Sequence, residues 1–91
     1  MFIISGGKGI GKTKALIERA KDEDGIIVCE NTMAMRERAY DYGITGLNII
    51  SYEELYACKV ENYDKPIYIH DINKFIKYNF PEVKGYSVCN E

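Results

Sequence analysis

Ninety-one residues make one domain, 1–91, and an apolar content of 46% is that of a globular chain rather than a disordered one. A net charge of −2 argues against a protein that binds nucleic acid by neutralising its backbone, although a local basic patch stays compatible with it. Three cysteines without C-x-x-C spacing (Cys29, Cys58, Cys89) and a lone His70 argue against a zinc site or a disulfide framework; reduced thiols in the cytoplasm fit better.

Met1–Ser5 reads as an apolar first strand. Gly6-Gly7-Lys8-Gly9-Ile10-Gly11-Lys12-Thr13 follows and fits G-x-x-x-x-G-K-[ST] at every fixed position. Thr13–Lys21 reads as the first helix, with Ala15, Leu16, Ile17 and Ala20 available to cover a sheet. After the turn Asp22–Gly25, the wholly apolar Ile26–Cys29 has the character of a buried parallel strand. Asn31 or Thr32 caps a second helix that runs to about Tyr42 and stops at Gly43. Leu47–Ile50 is a third strand, and Ser51-Tyr52-Glu53-Glu54 is a capping box opening a short helix. Pro66–His70 is a fourth strand, Ile72 to about Tyr78 a helix stopped by Pro81, and Tyr86–Cys89 a fifth strand. Alternating strands and helices predict parallel strands joined by helical crossovers.

The glycine-rich segment has a direct chemical reading. Its glycines let the backbone fold into a cup whose N–H groups face phosphate oxygens, and the helix that follows adds the positive end of its dipole. Lys12 would reach the β- and γ-phosphates and Thr13 would offer its hydroxyl to Mg²⁺. Gly6, Gly7, Lys8, Gly9, Ile10, Gly11, Lys12 and Thr13 are therefore the expected nucleotide-binding residues. The strand Ile67-Tyr68-Ile69-His70 ends in Asp71, and an acidic residue at that edge can hold the Mg²⁺ that bridges the phosphates. The competing role for Asp71 is to cap the helix that follows.

The segment Gly6–Thr13 resembles the Walker A motif of P-loop NTPases, and Ile67–Asp71 resembles a Walker B element. The order of elements is similar to the front half of a RecA-like, helicase-type motor domain, in the division that places a glutamate after the Walker B aspartate. That resemblance implies an α/β, three-layer P-loop fold with a five-stranded, mainly parallel sheet of strand order 3-2-4-5-1. It implies ATP and Mg²⁺ as ligands, a catalytic contribution from Lys12, and Asn90 at the sensor position near the γ-phosphate. Ile72 stands where the glutamate is expected, which leaves hydrolysis open. Glu30, at the end of the second strand, is the substitute candidate, against its reading as a solvated loop carboxylate. Asn73-Lys74 begins like the guanine-specific N-K-x-D loop but lacks its aspartate, so ATP is favoured over GTP.

The chain holds no second motor domain, so a self-sufficient helicase is not expected; Arg36 or Arg38 would serve as an arginine finger only towards a neighbouring subunit. An unprotected first-strand edge at Phe2–Ile4 predicts a homo-oligomer or a protein partner. The eight tyrosines fit a partly buried core, with a protein interface next in order. Abundant Ile, Lys, Asn and Tyr are associated with AT-rich genomes, a low-GC bacterium or its phage. Two functions follow: an ATP-binding protein working as a slow ATPase, or a phage-type regulator or inhibitor that binds a protein partner with little or no hydrolysis. No run is long and apolar enough to span a membrane, and no secretory signal layout is present.

Overall fold

The computed structural model describes residues 11–57 and 64–87. Their elements, in chain order, are α1 (Lys12–Asp22), β1 (Ile26–Cys29), α2 (Thr32–Asp41), β2 (Asn48–Ser51), α3 (Tyr52–Ala57), β3 (Ile67–Ile69) and α4 (Ile72–Asn79). The three strands form one parallel sheet in the order β2-β1-β3. Ile27 is paired with Ile49 on one side and with Tyr68 on the other. Backbone bonds extend the β1–β3 pairing at both ends, from Ile26 N to Pro66 O and from His70 N to Val28 O, each 2.8 Å.

The side-chain alternation of β1 explains the layering. All of Ile26–Cys29 is buried, as a central strand covered on both faces requires. Ile27 and Cys29 face one cluster with Ile17 and Ala20 of α1, Met35 and Ala39 of α2, Leu47, Ile49 and Tyr68. Ile26 and Val28 face the other, with Tyr52 and Leu55 of α3, Ile50, Ile67, Ile69 and Phe75 of α4. The two faces follow from right-handed crossovers: β1 to β2 runs one way across the sheet and β2 to β3 runs back, so α2 and α3 cover opposite faces. Burying a side chain such as Ile17 or Ile27 stabilises the fold by about 1.5–3 kcal/mol. Cys29 is a free, buried thiol whose pKa is pushed up to about 11 by burial, so it packs as a small apolar group.

Local chemistry sets the helix ends. Asn31 caps α2 by accepting from Ala34 N at 3.0 Å. Ser51 and Glu54 form the reciprocal box expected from S-x-x-E: Ser51 N donates to Glu54 Oε1 and Glu54 N to Ser51 Oγ, both at 3.0 Å. Arg19 and Glu23 pair one turn apart at the end of α1. Gly25 then brings the chain into β1 at close quarters. A Cβ there would lie 2.7 Å from the Tyr68 ring and 2.9 Å from Pro66 O. The Pro66 carbonyl is fixed by its bond from Ile26 N, so it cannot give way. Gly25→Ala is accordingly expected to cost about 1–3 kcal/mol, read as a lower urea midpoint with an unchanged slope.

The five-stranded sheet and the order 3-2-4-5-1 are corrected: the described residues hold a three-stranded parallel sheet, not a five-stranded P-loop sheet. Of the expected fifth strand, Tyr86 and Ser87 are exposed and outside any strand, and Val88 and Cys89 lie outside the described residues. The physical reason is visible in 81–87: every residue is exposed, and a strand with no face to bury gains nothing from pairing. The expected first strand, Met1–Ser5, with its Phe2–Ile4 edge, lies outside the described residues. Among the described residues no helix is long and apolar enough to cross a membrane.

Candidate functional site

Three segments meet at the carboxyl edge of the sheet. β1 runs out into Glu30 and Asn31, β2 into α3 at Ser51–Tyr52, and β3 into His70 and Asp71. The start of α1 reaches the same edge, because Thr13 Oγ1 lies 3.2 Å from His70 Nε2. In open α/β sheets this is where ligands bind.

The last residues of the glycine-rich motif open α1. Gly11 is its N-cap, with φ 60° and ψ 11°, a left-handed conformation that glycine adopts without steric cost. Gly11 gives this helix no side-chain cap of its own, whereas Asn31, Ser51 with Glu54, and Asp71 bond the first turns of α2, α3 and α4. Lys12 and Thr13, both half-buried, follow as the first two helical residues. Gly6, Gly7, Lys8, Gly9 and Ile10 lie outside the described residues, as does Asn90.

Asp71 adopts φ 61° and ψ 76°, a left-handed conformation costly for a non-glycine residue. Its Oδ1 accepts from Lys74 N at 3.3 Å, so the helix-capping role is real. The strand end is held from below by Tyr52, whose hydroxyl donates to His70 O at 2.6 Å and to Asp71 O at 3.1 Å. Burial, then the charges of Asp71 and Glu30 among others, push the Tyr52 hydroxyl pKa far above its ordinary value, so it is a permanent donor. Glu30 is exposed at the same edge and makes an ion pair with Lys74 of α4 at 3.6 Å. Exposed pairs of this kind contribute little to stability.

His70 was dismissed by sequence reasoning because a single histidine builds no metal cluster. The only signal was its place, directly after an apolar strand at the edge where ligands sit. The structure puts His70 against Thr13 and turns Asp71 to α4. Burial holds the His70 pKa below the ordinary histidine value against the opposing effect of Asp71, and the positive charges of Arg38 and Lys74 act in the same direction as burial. Of the eight tyrosines expected to form a partly buried core, Tyr52 is 2% exposed, whereas Tyr56 is 82% exposed.

The donor set bears on a cation. Among the described residues no three His, Cys, Asp or Glu side chains gather into a metal site. An ion here would be shared with ligand oxygens and water, which is how Mg²⁺ is held beside phosphates. Of the expected donors, Thr13 is in contact with His70, while the Asp71 carboxylate is engaged with Lys74 N at the start of α4. A groove of about 240 Å³ lies along β2, lined by Arg36, Ala39, Tyr40, Ile44, Leu47 and Ile49 among others. It belongs to the opposite edge of the sheet from β3.

Comparison of the chain with known protein families, curated proteins and solved structures finds no match.

Proposed function

We propose that the chain binds a nucleoside triphosphate, ATP in preference to GTP, together with Mg²⁺, through the loop Gly6–Thr13, as P-loop proteins do. The observation that carries this reading is the contact of Thr13 with the end of β3. It sets the close of a G-x-x-x-x-G-K-[ST] segment at the edge of a parallel sheet where ligands sit. The start of α1 at Gly11 supports it, since the amide hydrogens of a first helical turn suit phosphate oxygens. Lys12 would hold the terminal phosphates, and Thr13 and Asp71 would hold the Mg²⁺, which when bound bridges the phosphates and offsets their charge.

Titration with Mg²⁺·ATP in a calorimeter tests the reading. A saturable one-to-one heat is expected. A flat titration of protein whose circular dichroism is that of a folded α/β chain overturns it.

Turnover separates a slow ATPase from a regulator. Ile72 follows Asp71, and the substitute Glu30 is paired with Lys74. The regulator reading, a phage-type protein acting on a protein partner, is favoured by a run of exposed apolar residues from α4 onward: Ile72, Tyr78, Phe80, Val83 and Tyr86. ATP hydrolysis lost in Asp71→Asn supports the ATPase; no turnover alongside tight binding supports the regulator. Asparagine is the right replacement because it tolerates the left-handed conformation and still caps α4.

A further inference from the structure

We infer that the free flank of β2 and the groove beside it form a docking site for an extended segment of a partner protein. That segment carries apolar side chains at alternate positions and an acidic residue among them. The site lies on the sheet edge away from β3, so its occupancy does not depend on nucleotide binding at the other edge.

Two separate features meet there. The first is main chain. β2 pairs with β1 on one flank, and among the described residues no strand pairs with the other. A strand edge of this kind offers its N–H and C=O groups to any extended chain that comes alongside. The second is side chain. Leu47 and Ile49 pack in one cluster with Ala39 of α2. A groove of about 240 Å³ runs beside them, lined by Ala39, Ile44, Leu47 and Ile49 together with Arg36 and Tyr40. Sheets take up peptides by this combination: main-chain bonds hold the added strand, and a pocket beside it selects every second side chain.

Size and charge choose the occupant. Pockets for drug-sized molecules run to about 300–1,000 Å³. This groove is smaller and suits single side chains, and its mostly apolar lining calls for apolar ones. Arg36 is the one charged residue of the lining; it is exposed and has no ion pair among the described residues. A carboxylate on the incoming strand complements it and fixes the register of docking. A second copy of β2 does not, because Asn48-Ile49-Ile50-Ser51 carries no acidic residue.

The groove is also shaped before anything binds. Ile44 N donates to Ala39 O, and Lys21 Nζ of α1 donates to Thr45 O, both at 2.9 Å. These bonds fix the turn that carries Ile44 and Thr45 into the lining, so little ordering is left to oppose binding. On α2, Met33, Arg36 and Tyr40 are all exposed and share one face at i, i+3 and i+7. The helix thus continues the apolar surface beyond the groove, with the guanidinium between the two larger apolar side chains.

The probe is a yeast-displayed library of random linear peptides, selected on the full chain. The recovered peptides should share apolar residues at alternate positions and an aspartate or glutamate. A synthetic peptide of that consensus should bind Arg36→Glu at least about tenfold more weakly than the wild type, since like charges set against each other across an interface are costly. Lysine in place of the peptide's acidic residue should restore the binding. Arg36 is exposed on α2, so circular dichroism of the variant should match the wild type. Amide exchange in the complex should slow at 48–51, where the added strand pairs. A library that yields no binder overturns the inference. So do peptides that bind wild type and Arg36→Glu equally, or that slow exchange at α4 and not at β2. A dimer held through β2, seen by light scattering and untouched by the peptide, overturns it in favour of a second copy.

Discussion

On the proposed reading, Lys12→Ala is expected to lower the affinity for Mg²⁺·ATP by about 100-fold or more while the helical content is retained. The size follows from losing a charge-assisted contact to phosphate, roughly 3 kcal/mol. Lys12 is half-buried at the first position of α1, where alanine is at least as good a helix former, so the helix itself is expected to form in the variant. Calorimetry of both proteins, with thermal melts alongside, checks the two halves of the statement. Equal affinities would remove Lys12 from the site. An equal loss of melting temperature and affinity would mean that the lysine acts through the fold.

Tyr52 gives the second large effect, on stability. Its side chain is 2% exposed; the ring packs against Phe75 and, with centroids 6.0 Å apart, against Tyr78. Tyr52→Ala should cost about 3–5 kcal/mol, the range for emptying an aromatic site in a core. Small domains have about 5–15 kcal/mol in all and sit towards the lower end, so much of the chain would be unfolded at 37 °C. Tyr52→Phe should cost about 1–2 kcal/mol, because the ring stays and only the bonds to the carbonyls of His70 and Asp71 go. Urea denaturation followed by circular dichroism separates the two variants. On the proposed reading the phenylalanine protein has a second signature: with the Tyr52 bonds to the end of β3 gone, nucleotide binding is expected to weaken as well. Unchanged stability in Tyr52→Phe would show that those bonds add nothing.

The sequence was readable where local chemistry decides structure. Ile26–Cys29 could only be a buried strand, the Ser51–Glu54 box formed with both of its bonds, and Asn31 capped α2. It was unreadable where tertiary placement decides. Tyr86-Ser87 has the composition of a strand, yet nothing among the described residues covers it. At the site, Lys12, Thr13, Glu30 and Asp71 were legible as residue types at an expected edge. Which of His70 and Asp71 turns towards Thr13 was not, because it depends on the left-handed turn at Asp71, and no pattern of apolar and polar residues encodes that turn.

The strand order has a kinetic consequence. The middle strand of the sheet, β1, is the earliest of the three along the chain; it meets β2 after one helix and β3 only after two. A ribosome-bound chain could close α1, β1, α2 and β2 into a half-built body with one flank of β1 still bare and Tyr52 without its carbonyl partners. Docking of β3 adds the third of the described strands and delivers His70 to Thr13 in the same event. Of the two described pairings, β1 with β3 closes the longer stretch of chain, so the Thr13–His70 contact waits on the one with the larger entropic cost.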